Sequence, residues 1–399
     1  GLAVGKGATS GGAAMLGERL RQARLAAGLS LEGLAERLER PVTKQALSKY
    51  ERGLSQPPPS RIADLAAALN VRASSLLAEA DVEIRWVAYR KLQRLSKSRQ
   101  AQVTAVATQR LEGEVRLREL FHLADRHDLP GPIEVRHLHD CDAAAAHVRM
   151  LWNLGDRPVD SLIEQIEEHG CAVVTWPEEW GFDGLSGWAN QTPVLVLNEA
   201  APPDRFRFNA AHELGHLVMK STGDGKTDEA FAHRFAASFL VPAEAARREL
   251  GQRRRGLDMD ELGLLRQRWG LSMQAWIRRA HDLEIIGDQL YRRLNMRFRQ
   301  AGWHREEPFA YERTESPTLL RRLVLRALTE RMITSEEADR LYPGSAGDAP
   351  QAGAGRSSLR DLARLPVEER HQAIRAAGIS VDTDEIEAWD ETAGDGLDE

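Results

Sequence analysis

Apolar residues recur with helical spacing at the start of the chain. The pattern predicts three short helices at residues 19–27, 30–38 and 43–50. Ser30 and Thr43 stand where the second and third helices begin, and both are favoured N-cap residues. Three helices so close together predict a small all-α domain.

The middle of the chain changes to a strand-like pattern. Two short apolar stretches bounded by turn formers predict strands at residues 171–176 and 193–197, and residues 184–189 between them predict a third strand from a weaker pattern. A helical pattern follows, with an apolar stripe formed by Ala210, Ala211, Leu214, Leu217 and Val218. We therefore expect a small sheet against which this helix packs. The sheet is either purely structural or offers an edge to an extended substrate.

Between these two regions the pattern is helical but lacks a regular heptad. Apolar residues recur at helical spacings from Asp81 to about Ala124. This predicts a helical linker that packs on the central region, pairs with a second subunit or serves as a spacer.

The last third of the chain is helical and ends in a polar tail. Short helix pairs are predicted after residue 251, with Ser272 and Thr334 as N-caps, and they favour a structural bundle over a second helix-turn-helix element. Residues 344–357 are rich in Gly, Ala and Ser, which is typical of a linker. Residues 367–399 hold eleven acidic residues against two arginines, which predicts a solvated, partly disordered tail.

These patterns predict a multidomain, mainly α-helical protein with one small α+β domain. The expected parts are a flexible tail (1–14), an all-α helix-turn-helix domain (15–76), a helical linker (77–130), an α+β domain (131–250), a helical C-terminal domain (251–343), and a linker with an acidic tail (344–399).

Composition and charge limit which cellular compartment and which binding partners are expected. The 399 residues carry a net charge of −6 and only two cysteines, Cys141 and Cys171, a number that suits a reducing cytoplasm. The sequence contains no run of about 18 apolar residues, so no membrane span is predicted. Residues 16–72 hold ten basic and six acidic residues, so the first domain is the basic one, as a phosphate-binding surface requires.

One motif requires a particular chemistry by its spacing alone. His212, Glu213, Leu214, Gly215 and His216 spell HELGH. Two histidines four apart lie on one face of a helix, so both imidazoles can bind one ion, for which zinc is the expected choice. Glu213 is placed to take a proton from water at the metal. The motif predicts a metal-dependent peptidase, and the alternative is a chance match on a surface helix.

A catalytic zinc site needs a third protein ligand and an open position. Glu229 begins the stretch EAFAHRFAASFLVP, whose apolar residues mark a buried helix. A carboxylate entering such a helix favours a cation as partner, so Glu229 is the expected third ligand. Asp228 and His233 are the rival ligands, and Glu229 could instead only stabilise the helix N-terminus.

Polar and cationic side chains occupy the outward face of the third N-terminal helix. They are Lys44, Gln45, Ser48 and Lys49. Such groups can reach base edges in the major groove, while Arg52 and Arg61 are placed to hold phosphates. The region predicts binding to a double-stranded DNA operator, and the alternative is a helix-turn-helix that contacts only protein.

The same region resembles a known family. The stretch SLEGLAERLERPVTKQALSKYERG, followed by PPPSRIADLAAALNV, is similar to the XRE-type helix-turn-helix family of lambda repressor and Cro. The resemblance implies that Thr43, Lys44 and Gln45 supply the first turn of the DNA-reading helix. Leu31 departs from the family, which often has Gln at that position.

Three further motifs resemble the ImmA/IrrE metallopeptidases. They are GLSGWANQTPVLVLNEAAPPDRFRFNAAHELGHLVM, EAFAHRFAASFLVP and RWGLSMQAWIRRAHDLEII. The resemblance implies a zincin-like fold in which His212, His216 and Glu229 bind zinc. It also implies that Glu213 is the general base.

The chain departs from this family close to the motif. The family commonly has Thr and a large apolar residue where Asn209 and Ala210 stand, and Asn where His233 stands, so substrate fit and the strength of activity are open. The oxyanion-stabilising residue is not assigned either, and its candidates are His233, Arg234 and Tyr291.

The two resemblances together imply a cytoplasmic bacterial regulator. The usual substrates of ImmA/IrrE peptidases are XRE-type repressors, so we expect cleavage of such a repressor, or of the chain's own DNA-binding half, in a stress, phage or mobile-element response. Motifs of this class usually read two half-sites, so we also expect a homodimer. The alternative is a DNA-binding regulator or antitoxin whose peptidase fold senses a signal without turnover.

Overall fold

The N-terminal helices begin where their capping residues predict. The computed structural model describes residues 8–77, 82–87, 96–123, 126–176, 183–221, 223 and 225–345. Its first helices are α1 (Ala8–Ala26), α2 (Leu31–Arg37), α3 (Lys44–Glu51), α4 (Pro59–Ala68) and α5 (Ala73–Leu77). The Ser30 hydroxyl accepts a hydrogen bond from the Gly33 backbone N–H, and the Thr43 hydroxyl accepts one from Ala46, so both N-caps are confirmed.

A small apolar core holds these helices together. Its most buried members include Leu20, Leu34, Leu47 and Leu65. Beside it, the Arg24 guanidinium donates to both carboxylate oxygens of Glu51, at 2.6 and 2.9 Å, and ties α1 to the end of α3. Helix α1 begins at Ala8, so residues 8–14, which the sequence assigned to a flexible tail, are helical. Helix propensity does not account for this extension, because Gly11 and Gly12 disfavour a helix while the alanines favour one.

A four-stranded sheet lies in the middle of the chain. The strands of the described residues are β1 (Ile84–Trp86), β2 (Ile133–Val135), β3 (Ala172–Trp176), β4 (Gly184–Ala189), β5 (Thr192–Asn198) and β6 (Met219–Ser221). The sheet has the order β1-β4-β5-β3, and β2 pairs with β6 separately. Strand β4 is antiparallel to β1 and β5, whereas β3 and β5 are parallel. The three predicted strands are thus confirmed, with bounds that differ by one residue at most.

Strand β1 contradicts the helical prediction for this part of the linker. Ile84–Trp86 pairs with Gly187–Ala189, and the Val87 N–H donates to the Ser186 carbonyl oxygen at 2.9 Å. The prediction was wrong because these backbone groups bond to a strand about a hundred residues away, which local apolar spacing does not report. Helix α6 (Lys97–Leu120) begins only after this strand.

Helix α6 covers one face of the sheet. Its buried residues Val103, Ala107, Leu111 and Val115 recur every four positions and share one cluster with the sheet. The strand residues of that cluster include Ala172, Val174, Leu185, Val194 and Val196. Near the end of the helix, Arg118 donates to the carbonyl oxygens of Gly170 and Cys171 at 3.0 and 2.8 Å. This segment is therefore part of the central fold and not a spacer.

The opposite face of the sheet packs on the main core. The helices around it are α7 (Leu138–Leu151), α8 (Leu162–Glu168), α9 (Pro203–Val218), α10 (Gly225–Leu240), α11 (Ala243–Leu250), α12 (Met259–Trp269), α13 (Met273–Asp282) and α14 (Asp288–Gln300). Leu195 and Leu197 of β5 share this core with Leu214 of α9. The core continues to Phe298 in α14, across residue 250, where the sequence placed a boundary. Large apolar residues after that position need a common core to be buried.

Two helices in the last third of the chain begin at their predicted N-cap residues. The Ser272 and Thr334 hydroxyls accept hydrogen bonds from the third residue of their helices, as N-caps do. The chain divides into two units, residues 1–327 and 328–399. Helix α15 (Leu319–Thr329) ends just inside the second unit, which also contains α16 (Ser335–Leu341). The predicted acidic tail lies outside the described residues. Among the helices that the structure describes, none is both long and apolar enough to cross a membrane.

Candidate functional site

Helix α9 carries the HELGH motif in the interior of the fold. Its predicted apolar stripe, Ala210, Ala211, Leu214, Leu217 and Val218, is buried as expected. Pro203 stands in the first turn, where a missing backbone N–H costs no helical hydrogen bond. At Gly215 helix α10 comes so close that a Cβ atom would lie 2.9 Å from the Phe235 ring. This close packing brings Glu229, on α10, to the histidines of α9.

His212, His216 and Glu229 meet at one point. The Nε2 atoms of the two histidines are 3.1 Å apart. His212 Nε2 lies 3.3 Å from Glu229 Oε2, and His216 Nε2 lies 3.5 Å from Glu229 Oε1. A tetrahedral zinc ion with bonds of about 2.0–2.1 Å keeps its ligand atoms about 3.3 Å apart. The three residues, called the ligand group below, therefore fit zinc in both donor chemistry and spacing.

The ligand group is accessible from one side. The side chains of His212 and His216 are only 4% and 9% exposed, whereas that of Glu229 is 36% exposed. A catalytic zinc site combines three protein ligands with one open position. The exposed side of Glu229 gives such a position access to solvent.

The rival ligands do not belong to this group. Within the described residues, the cluster whose ligand atoms lie close enough together to hold one metal ion consists of His212, His216 and Glu229, without Asp228 or His233. The His233 ring packs beside His212, with ring centroids 4.5 Å apart, and stacks on Phe208. His233 thus contacts a ligand without completing the set.

The other two oxyanion candidates are engaged elsewhere. Arg234 donates to Asp142 at 2.7 Å and pairs with Asp282 at 2.8 Å. Burial by itself raises the pKa of Asp142, but Arg279 and Arg234 together hold that pKa below its ordinary value. Tyr291 stacks on a histidine of α13 with ring centroids 4.2 Å apart. Of the three candidates, His233 is the one whose contact with the ligand group is described above.

Glu213 contacts strand β4. The Ser186 hydroxyl donates to Glu213 Oε2 at 2.8 Å, and both residues are buried. Gly184 lies on the same face of β4, and a Cβ there would stand 2.9 Å from Glu213 Cγ. Sequence reasoning missed Ser186 and Gly184. The alternation of β4, which turns both residues towards α9, is the signal that could have found them.

Helix α3 exposes most of the predicted DNA-reading residues. Thr43, Lys44, Gln45 and Lys49 are exposed and Ser48 is half-buried. Lys44 forms an ion pair with Glu32, whose pKa it lowers. Because this pair is exposed to solvent, a DNA phosphate can compete for the lysine.

The two predicted phosphate contacts differ in exposure. Arg52 is exposed at the end of α3. The Arg61 side chain is only 19% exposed, and it donates to the Arg40 carbonyl oxygen at 2.9 Å and lies 3.4 Å from Asp64. Arg61 therefore ties α4 to the segment between α2 and α3, which leaves less of its guanidinium for DNA.

Comparison with known proteins bears on both regions. Residues 166–281 match the peptidase M78 family, described as an IrrE N-terminal-like domain, and residues 20–76 match a helix-turn-helix family. A search of curated proteins found no match. The first match includes the ligand group and Glu213, and the second includes α3. The chain therefore combines an XRE-type helix-turn-helix domain with a metallopeptidase-like domain of the ImmA/IrrE family.

Proposed function

We propose that the chain is a DNA-binding regulator whose ImmA/IrrE-type domain is a zinc-dependent endopeptidase. The ligand group carries this proposal, because its atoms lie 3.1–3.5 Å apart on two closely packed helices. Structural zinc sites use four protein ligands, whereas catalytic sites use three and keep one position open. Glu213, which follows His212 in the helix, supplies the acid–base group that such a site needs.

Each residue of the candidate site has a separate role in the proposed reaction. Zinc bound by His212, His216 and Glu229 would supply Lewis-acid chemistry to a peptide carbonyl and to water. Glu213 accepts the proton that water loses as it attacks the carbonyl carbon, and then returns it to the leaving amine. Ser186 donates to Glu213 Oε2 and so holds one oxygen of this carboxylate in place.

The substrate class follows from the resemblance to the two families. We assign it to XRE-type repressors or to the chain's own DNA-binding half, in a stress, phage or mobile-element response. The helix-turn-helix domain would hold the peptidase at an operator, where repressors of the same class gather. A homodimer in the cytoplasm is part of the same proposal, since paired half-sites suit paired domains.

The domain division is also part of the proposal, with two changes. Strand β1 and helix α6 join the central domain, because they complete its sheet and cover one face of it. The same domain extends beyond residue 250, since its core reaches Phe298. The DNA-binding domain keeps the limits 15–76, around its own core.

The test is cleavage of purified proteins by the zinc-loaded full chain. The chain is incubated alone and with a panel of purified XRE-type repressors, and the products are identified by mass spectrometry. We expect cleavage by the parent and none by Glu213→Gln, which keeps zinc but lacks the base. Glu244→Gln, which changes an exposed carboxylate on α11, is the matched control and should cleave like the parent.

The same variants decide between enzyme and sensor. If Glu213→Gln regulates its target genes as the parent does and neither protein cleaves any repressor, the peptidase fold serves as a sensing domain. The proposed endopeptidase function is then wrong.

A further inference from the structure

The Ser186 hydroxyl joins the candidate base to the sheet. Ser186 Oγ lies 2.8 Å from Glu213 Oε2, and each residue is only 1% exposed. A hydrogen bond from a neutral donor to a carboxylate is among the stronger ones in proteins, and burial strengthens it further. The contact therefore constrains the Glu213 carboxylate more than a solvent-exposed bond would.

The backbone of Ser186 is itself held on both sides. The Val87 N–H of the β1 side donates to the Ser186 carbonyl oxygen at 2.9 Å. On the other side β4 pairs with β5, where Ser186 stands opposite Leu195. A residue in the middle of a sheet has little freedom to shift, so its hydroxyl is a fixed reference point for α9.

Gly184 leaves room for the Glu213 side chain in the position where it meets Ser186. Gly184 stands two residues before Ser186 on the same face, where any Cβ would collide with Glu213 Cγ at 2.9 Å. A glutamate side chain has several torsions, and holding it in one conformation requires both room and a fixed partner. Gly184 supplies the room and Ser186 supplies the partner.

We propose that Ser186 is the positioning residue for Glu213. The inference rests on the proposed endopeptidase function. It adds that the hydroxyl of a strand residue, without touching the metal ligands, sets where the base stands. Displacement of a catalytic group by about 1 Å costs up to about a hundredfold in rate.

The expected signature is a loss in kcat without a matching change in KM. Ser186→Ala should lower kcat about 10- to 100-fold on the repressor that the parent cleaves fastest. KM should stay within about twofold of the parent value and zinc content should not change, because the hydroxyl contacts neither substrate nor metal. A fall in zinc content or a rise in KM that accounts for the whole loss would overturn the proposal.

Two further substitutions separate hydrogen bonding from packing. Ser186→Cys fills the same space with a weak donor, so it should resemble Ser186→Ala, whereas Ser186→Thr keeps a hydroxyl and should recover most of kcat. Activity of Ser186→Cys equal to the parent would show that only packing matters. Ser238→Ala is the control, since it removes a buried hydroxyl that accepts from Arg279 on the far side of α10, and it should leave kcat unchanged.

Crystal structures give a readout that does not depend on activity. In the zinc-loaded parent the Glu213 carboxylate should keep its bond to Ser186, and in zinc-loaded Ser186→Ala it should occupy another or several positions. An unmoved carboxylate in Ser186→Ala refutes the proposal even if the parent is active. A parent that cleaves no repressor, with the carboxylate displaced in Ser186→Ala, refutes the proposed function alone.

Discussion

Helix α6 offers a quantitative test of how the central fold is built. Leu111 is fully buried in the cluster that joins α6 to the strands. Leu111→Ala removes three carbon atoms, whose transfer from water contributes about 2.4 kcal/mol at about 0.8 kcal/mol per carbon. The cavity left between helix and sheet adds to that loss, so the free energy of unfolding should fall by about 3–4 kcal/mol.

Urea unfolding followed by tryptophan fluorescence measures this change, because Trp86 of β1 packs against the same cluster and Trp188 lies in β4. Leu264→Ala is the matched control: its side chain is 72% exposed on α12, and the substitution should cost less than about 0.5 kcal/mol. If Leu111→Ala costs as little as the control, α6 does not pack on the sheet, and the segment is a spacer or a subunit contact instead.

Three other expectations concern separate parts of the chain. Burial raises the thiol pKa of both Cys141 and Cys171 to about 12. A thiol reagent at pH 8 should therefore label neither cysteine in the native protein and both after unfolding, and labelling of the native protein would contradict their burial. Gly215→Ala places a Cβ 2.9 Å from the Phe235 ring, which should push α9 and α10 apart. Zinc binding, measured by chelator competition, should weaken at least about tenfold, and unchanged affinity would show that the helices accommodate the methyl group. Gln45→Ala should cost about 1–3 kcal/mol on the preferred base and little on random duplex, and equal losses on both DNAs would show that α3 does not read bases.

Much of the fold could be predicted because its signals are local. Ser30 and Thr43 cap their helices through hydrogen bonds to residues three positions on, so the sequence itself contains both partners. Strands β3 and β5 are short apolar runs between turn formers, while β4 has a weaker pattern between them. Alternate residues of the three strands belong to the cluster with α6 and to the main core. The same holds for the two histidines of HELGH, because one helix carries both.

What escaped prediction depends on distant pairing. Strand β1 has only three residues, and it is a strand because β4 lies beside it. The contact of Ser186 with Glu213 joins residues 27 positions apart. The alternation of β4 indicates the face on which Ser186 lies, but it does not indicate which helix residue the hydroxyl meets. The sequence favoured Glu229 as the third ligand, but the close packing of α10 at Gly215, which brings Glu229 to the histidines, joins distant residues and has no local signal.

The zinc content of the full chain tests the central claim most directly, with X-ray absorption at the zinc edge to identify the ligands. We predict one zinc per chain, bound by two imidazoles and a carboxylate and by no sulfur. His212→Ala and His216→Ala should hold no zinc, whereas Asp228→Asn should keep it, because that carboxylate lies outside the ligand group. Full zinc occupancy in either histidine variant, or sulfur among the ligands, would contradict the site.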